Sequence, residues 1–216
     1  SQQPYGEWLK NNQINLSELP APVYLPENEP FDLLEQQKTF GYTTEDVHMI
    51  MEPMAVLGGE PTGSMGNDIP LAVLSDETPT LFSYFKQLFA QVSNPPLDAI
   101  REELVTSLSA TIGEEKNLFE ETPEHCRQLR LNRPIITNTE LSSIKNLDIP
   151  NLKAKTLSTV FKTGDEGTMS LAVENLCKEA SQAVAEGCSI LILSDRGIQK
   201  DYAPIPSLLA TSAVHH

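Results

Sequence analysis

The spacing of apolar residues is clearest in the last third of the chain. Residues 155–161 and 189–194 predict strands, and the second stretch is apolar without a break from Ile190 to Leu193. Between them, residues 168–186 place leucine, valine and alanine at helical spacing, and Gly187 follows where helices commonly end. A strand, a helix and a second strand in this order predict a parallel pair joined by a right-handed crossover.

The middle of the chain predicts two helices separated by prolines. Residues 80–92 carry aromatic and aliphatic side chains at three- and four-residue spacing, and Asn94-Pro95-Pro96 ends this stretch. A shorter helix is predicted to begin at Asp98, and we expect its Ile100 and Leu104 to face the core. The remaining predicted elements are a helix over 47–55 with a kink at Pro53, a strand over 69–74, an edge strand over 131–136 and a helix over 205–214.

The N-terminal segment has a different character. Residues 4–12 predict a short helix, whereas residues 15–30 contain four prolines, which prevent both helices and regular strand pairing. We therefore expect a helix and proline-rich arm over 1–40, followed by an α/β domain over 41–216. The alternation of strands and helices predicts a layered domain, with a mostly parallel sheet flanked by helices and preceded by the arm.

Charge narrows the classes of function. The 216 residues contain 30 acidic and 15 basic side chains, for a net charge of −15. Binding to nucleic acids or anionic membranes needs a basic surface, so neither partner is expected. Residues 1–60 hold ten acids and two bases, a local charge of −8. This acidic segment is typical of a solvated face, and the alternative is an arm that docks a basic partner.

The cysteine content and the length of the apolar stretches indicate where in the cell the protein is expected. Three widely spaced cysteines favour reduced thiols in the cytoplasm over a disulfide framework. No apolar run approaches the roughly 20 residues of a membrane span, and no secretory signal is visible. The sequence begins at Ser1 and stops at His215-His216, directly after a predicted helix, so we expect a piece of a longer protein.

Residue patterns alone do not assemble an active site. The glycine loop over 58–68 lacks the spacing of a dinucleotide or phosphate cradle, and the histidines and cysteines lack metal-ligand spacing. The best polar cluster is Ser194-Asp195-Arg196, which follows a buried strand where α/β proteins bind ligands. These residues can instead cap the next helix and pair with each other. The turn at Asn94–Glu103 can be a docking surface or a simple capped turn.

One long stretch is similar to a known family. The runs FAQVSNPPLD (89–98), GYTTEDVHMIMEPMA (41–55), LILSDRGI (191–198) and IPSLLATSAVHH (205–216) resemble the central domain of the glutamate synthase large subunit, in the same order. The resemblance is collinear and covers essentially the whole chain, and it implies that the α/β domain over 41–216 is truncated at its C-terminal end. It is therefore far more specific than any short motif above.

The resemblance implies an enzyme that converts glutamine and 2-oxoglutarate into two glutamates, with electrons from ferredoxin or an NADPH-linked subunit. In that family a glutaminase domain precedes the central domain, and a barrel that binds FMN and carries an iron–sulfur cluster follows it. Ammonia passes between the two active sites through an internal tunnel. The resemblance thus implies the glutaminase and FMN-binding domains as partners, in the cytoplasm or a plastid stroma.

The same resemblance implies a linking role, with no catalytic residue, metal or cofactor in this chain, which alone is expected to be inactive. Its loops are expected to contact the neighbouring domains and the tunnel region. The candidate residues for these contacts are Ser64, Met65, Gly66, Asp68, Asn94, Pro95, Asp98, Arg101, Ser194, Asp195 and Arg196. The alternative is an independent α/β domain that binds a small molecule at Ser194–Arg196.

Overall fold

A computed structural model describes residues 3–22, 32–63, 74, 76, 79–85 and 97–216. The helices among them are α1 Tyr5–Asn12, α2 Leu33–Thr39, α3 Glu52–Leu57, α4 Ala99–Val105, α5 Asn138–Lys145, α6 Thr168–Ala185 and α7 Ser207–His215. The strands are β1 Ile14–Asn15, β2 Ala110–Ile112, β3 Leu129–Leu131, β4 Asp148–Ile149, β5 Leu152–Ser158, β6 Val160–Lys162, β7 Ile190–Ser194 and β8 Tyr202–Pro204. The described residues therefore form a mixed α/β structure.

The strands form three small sheets, in the orders β1-β3-β2, β4-β5-β7 and β6-β8. The predicted strand–helix–strand unit is confirmed: β5 and β7 are parallel in register from Ala154↔Ile190 to Ser158↔Ser194, and α6 connects them. β1 also pairs in parallel with β3, whereas the other three described pairs are antiparallel. The described strands are thus mixed in direction and do not show a mostly parallel sheet.

The sheet β4-β5-β7 lies between two apolar layers because alternate residues of a strand face opposite sides. One layer combines α5 with the sheet β1-β3-β2, and its buried residues are Leu16, Leu129, Leu131, Ile144, Leu147, Leu152 and Ile190. The other layer is formed by α6 and α7, and its buried residues are Leu157, Leu176, Ala180, Ile205 and Ala210. The core of the described chain therefore surrounds β5 and β7.

Helix α6 shows how the local sequence determines which face of a helix is buried and where the helix ends. Its buried residues Leu176, Ala180 and Ala183 recur at three- and four-residue spacing along one face. Gly187 follows the helix with φ +86°, a left-handed conformation that glycine adopts without the steric cost of a Cβ atom. Both the helix and its predicted glycine end are confirmed.

Several expectations are wrong or lie outside the described residues. The predicted edge strand over 131–136 is wrong, because the strand is Leu129–Leu131 and lies in the middle of its sheet. Ile100 and Leu104 are exposed rather than in the core. The predicted strand over 69–74 falls almost wholly outside the described residues. The helix over 80–92 is described only at Leu81–Phe85, which is a 3₁₀ helix.

The N-terminal prediction is tested only in part. Helix α1 is confirmed, but the expected absence of regular structure is wrong at the start of the arm: β1 pairs with β3, Leu16–Glu18 is a 3₁₀ helix and Leu16 is buried in the core. Residues 23–31 of the proline-rich segment lie outside the described residues. The helix predicted over 47–55 is a π-helical turn at Asp46–Met51 followed by α3, and Pro53 lies in the first turn of α3, where its missing N–H is tolerated. Across the part of the chain that the structure describes, no helix is both long and apolar enough to cross a membrane.

Candidate functional site

The predicted contact residues fall into two described groups and one undescribed set. Asp98 and Arg101 lie at the start of α4, and Ser194, Asp195 and Arg196 follow the end of β7. The undescribed candidates are Ser64, Met65, Gly66, Asp68, Asn94 and Pro95. The geometry below therefore concerns the two described groups.

Asp98 is the N-cap residue of α4. Its Oδ1 accepts hydrogen bonds from the backbone N–H groups of Ile100 and Arg101 at 3.0 and 2.9 Å, so two of the free N–H groups at this helix end are satisfied. Its Oδ2 lies 3.0 Å from Nη1 of Arg101. Because both side chains are substantially exposed, this ion pair contributes little to stability and its charges remain accessible.

The helix that follows presents apolar side chains to solvent. Ile100 is 89% exposed and Leu104, one turn later on the same face, is 81% exposed. No residue of α4 is buried among the described residues. Sequence spacing correctly predicts that these two residues share a face, but that face is not covered by the described part of the chain.

The second group joins the end of β7 to α5. The backbone N–H of Arg196 donates to Ser194 Oγ at 3.4 Å, and Arg196 Nη2 donates to Asn138 Oδ1 at 3.1 Å. Asn138 is the first residue of α5 and lies 58 positions away in the sequence. Sequence analysis missed Asn138, although the Thr137-x-x-Glu140 spacing marks a helix start at that point.

Two cavities in the described structure lie away from these groups. One, of about 370 Å³, lies between β6 and α6, and the other, of about 530 Å³, lies beside β7. Neither is lined by Ser194, Asp195 or Arg196. The predicted alternative of a small-molecule site needs a concave site with convergent polar groups, and these cavities do not supply one at those residues.

The titratable groups with shifted pKa values lie on the surface. The Thr137 backbone N–H and hydroxyl lower the pKa of Glu140, with a smaller effect from Arg133. A hydrogen bond with Thr122 lowers the pKa of Glu124, and the hydrogen bond to Glu121 raises the pKa of Tyr5. Each shift follows from a local contact at a helix start or between neighbouring segments. None marks an acid–base pair within a cavity.

The three cysteines do not assemble the donors of an iron–sulfur cluster. Cys177 lies on α6 and its Sγ donates to the Ala213 carbonyl at 3.4 Å, whereas Cys126 and Cys188 lie in other segments. Within the described ranges, no three His, Cys, Asp or Glu side chains gather in a way that could hold a metal ion. These residues do not fit the iron–sulfur cluster that the resemblance implies for the family, and the expectation that this chain carries no cofactor stays a prediction.

Comparison with known proteins gives a consistent result along the chain. The family model described as the glutamate synthase central domain matches residues 35–216. The NADPH-type glutamate synthase large chain of Bacillus subtilis is 41% identical over 212 residues, which are 98% of this chain. The chloroplastic ferredoxin-dependent glutamate synthase of Oryza sativa is 43% identical over 222 residues, and the NADH-type enzyme of Schizosaccharomyces pombe is 46% identical over 180 residues, 82% of this chain.

The match covers only a small part of each relative. The chain spans 14% of the Bacillus protein, 13% of the Oryza protein and 8% of the Schizosaccharomyces protein. Relatives named for three different electron donors share this region at similar identity. The family model nevertheless matches well over half of the chain. The chain therefore belongs to the glutamate synthase central domain family.

Proposed function

We propose that this chain links the glutaminase domain and the FMN-binding synthase domain of a glutamate synthase, and that it helps to form the ammonia tunnel between them. The parent enzyme converts glutamine, 2-oxoglutarate and reductant into two glutamates. Membership of the central domain family over 35–216 carries the proposal. The electron donor, ferredoxin or an NADPH-linked subunit, is proposed to dock elsewhere, since relatives named for different donors share this region.

The chemical reason to seal the tunnel from water is that ammonia is protonated in water. Ammonia released into bulk water near neutral pH becomes ammonium, which has no lone pair and is a poor nucleophile. A linking domain that excludes water therefore keeps the nitrogen reactive until it reaches the second site. In this proposal the chain forms part of the tunnel wall and aligns the glutaminase and synthase active sites, and it contributes no catalytic residue.

Helix α4 supports a role in contacts between domains. Its exposed Ile100 and Leu104 form an apolar face, and such faces in proteins commonly mark interaction sites. Asp98 and Arg101 add a charged pair at the start of that helix. We propose that α4 packs against a neighbouring domain of the same polypeptide. The loop residues Ser64, Met65, Gly66, Asp68, Asn94 and Pro95, and the group Ser194, Asp195 and Arg196, are proposed as further contacts.

The test measures coupling in the full-length enzyme. Asp98→Asn keeps a side-chain cap for α4 but removes the negative charge, and Arg101→Ala removes its partner. Both variants are expected to hydrolyse more glutamine than the 2-oxoglutarate they consume, because ammonia escapes from a loosened path. Glutaminase turnover and glutamate formation are measured on the same sample, with added ammonium as a rescue of glutamate formation.

Lys116→Ala is the matched control. It breaks another ion pair, in which Lys116 Nζ lies 2.7 Å from Glu114 Oε2 and which involves no residue of α4. This variant is expected to keep the wild-type ratio of the two rates. Equal losses of both rates in the α4 variants, or no change in either, would contradict a coupling role for Asp98 and Arg101.

A further inference from the structure

The cavity between β6 and α6 combines an apolar wall with charged groups of both signs. It has a volume of about 370 Å³, and its apolar wall includes Phe161, Leu171, Leu176 and Ile205. Cavities that bind small ligands commonly measure about 300–1,000 Å³ and combine apolar walls with a few polar groups. The size of this space, which we call the β6–α6 cavity, is therefore that of a site for a small molecule.

Three polar side chains line the β6–α6 cavity without a partner of their own. Lys162, Asn175 and Glu179 are exposed, and none of their side chains forms an ion pair or a hydrogen bond with another described residue. Lys162 offers a cation, Glu179 an anion, and Asn175 an amide that both donates and accepts hydrogen bonds. Since the lysine and the glutamate do not pair with each other, both charges are available to a ligand.

Helical geometry separates the two charges. Lys162 is the last residue of β6, and Thr168, which also lines the cavity, is the first residue of α6. Glu179 lies farther along α6, at about 16 Å from Thr168 along the helix axis. Asn175 lies one turn before Glu179 and one turn after Leu171, so these three side chains follow one line along the helix. The cation and the anion therefore lie toward opposite ends of the cavity.

These features match a ligand that carries both charges. A purely anionic ligand at Lys162 is repelled by Glu179, and a purely cationic ligand at Glu179 is repelled by Lys162. An apolar molecule uses the wall of the cavity but leaves all three polar side chains without a partner. An α-amino acid carries both charges on one carbon atom and is too short to reach both ends.

We propose that the β6–α6 cavity binds a short zwitterionic peptide of about three residues, with its carboxylate at Lys162, its backbone at Asn175 and its ammonium group at Glu179. An extended peptide of this length measures about 10 Å, and the long side chains of the lysine and the glutamate reach its two ends. Apolar side chains of the peptide contact Phe161 and Leu171. This site goes beyond the linking role proposed above and does not depend on it.

Isothermal titration calorimetry of the full-length enzyme with trileucine tests the proposal, because trileucine has free charged ends and apolar side chains. We expect saturable binding with a Kd of about 1 mM or tighter. Trileucine with an acetylated N-terminus, or with an amidated C-terminus, lacks one charge and is expected to bind about fivefold more weakly. An absence of binding up to about 10 mM trileucine overturns the proposal.

Double-mutant cycles between the enzyme and the peptide locate the two peptide ends. Glu179→Gln and Lys162→Met each remove one charge and are expected to weaken the binding of trileucine by about fivefold. Glu179→Gln is expected not to weaken the binding of the acetylated peptide further, and Lys162→Met is expected not to weaken that of the amidated peptide further. Equal losses for free and modified peptides overturn the proposal, because they show that these side chains do not contact the peptide ends.

Glu174→Gln and Lys178→Met are the matched controls. Both residues are exposed on α6 and are absent from the lining of the β6–α6 cavity. Each control removes the same charge as one cavity variant and is expected to keep the Kd for trileucine within about twofold of the wild-type value. If the controls weaken binding as much as the cavity variants do, the general charge of the helix explains the effect and the proposal is overturned.

Discussion

Truncating Leu157 tests the contact between β5 and the α6–α7 layer. Leu157 is 2% exposed and forms a buried cluster with Leu176, Ala180, Ile205 and Ala210. Leu157→Ala removes the branched end of the side chain from this cluster and leaves a cavity. Two neighbours are alanines, whose single methyl groups cannot extend to fill the space. We therefore expect little local collapse.

The size of the effect follows from these neighbours. Leucine-to-alanine changes in cores cost about 2–5 kcal/mol, and the cost is higher where the cavity persists. We expect about 3–4 kcal/mol for Leu157→Ala, since helix and strand backbones border the site. Leu171→Ala is the matched control: Leu171 lies on α6 but is 57% exposed, and exposed substitutions usually change stability by about 0.5 kcal/mol or less.

The assay is urea unfolding of the 216-residue chain, followed by far-ultraviolet circular dichroism. With an m-value of about 2 kcal/mol/M, a loss of 3–4 kcal/mol lowers the midpoint by roughly 1.5–2 M. The control is expected to move the midpoint by about 0.3 M or less. If both variants shift the midpoint equally, Leu157 does not pack against α6 and α7 as described, and the assignment of the second layer is refuted.

Two further predictions concern the capping box of α5, in which Thr137 Oγ1 accepts from the Glu140 N–H at 3.2 Å and Glu140 Oε2 accepts from the Thr137 N–H at 2.6 Å. Thr137→Ala is expected to lower the free energy of unfolding by about 1 kcal/mol in the same urea assay. Thr139→Ala, at an exposed position in the same turn, is the control and is expected to leave the urea midpoint almost unchanged. Equal shifts of the midpoint in both variants would contradict the capping role of Thr137. The lowered pKa of Glu140 means that its stabilising contribution is fully present above the ordinary value of 4.5 and is lost as pH falls through the lowered pKa. Glu140→Gln should therefore flatten the decline in stability below that pH, and an unchanged pH profile would show that this carboxylate is not coupled to folding.

The sequence predicts best those helices and strands whose apolar pattern extends over many consecutive residues. Helix α6 has 18 residues, so its apolar stripe repeats over several turns, and Gly187 marks its end. β7 is apolar without a break from Ile190 to Leu193. Helix α5 was missed because its eight residues bury only Ser143 and Ile144, which is too few positions for a clear period. Its capping box is visible in the sequence as Thr137-x-x-Glu140.

Contacts between distant residues are the part that sequence could not supply. The hydrogen bond between Arg196 and Asn138 joins residues 58 positions apart, and no local pattern encodes it. The sheet β1-β3-β2 consists of strands of two or three residues, which are too short to show an alternating pattern. For α4 the spacing identifies the apolar face, but burial depends on what lies opposite, which spacing does not encode.

Burial divides the described chain into two parts with different sources of stability. Apart from Leu16, the buried apolar residues all lie between Leu129 and Ala210, around β5 and β7. Helices α2, α3 and α4 have six or seven residues each and bury none of them. Helices this short are unstable alone in water and gain stability from packing of an apolar face. Among the described residues these three helices therefore gain little stability from packing, which agrees with the proposal that α4 contacts a neighbouring domain.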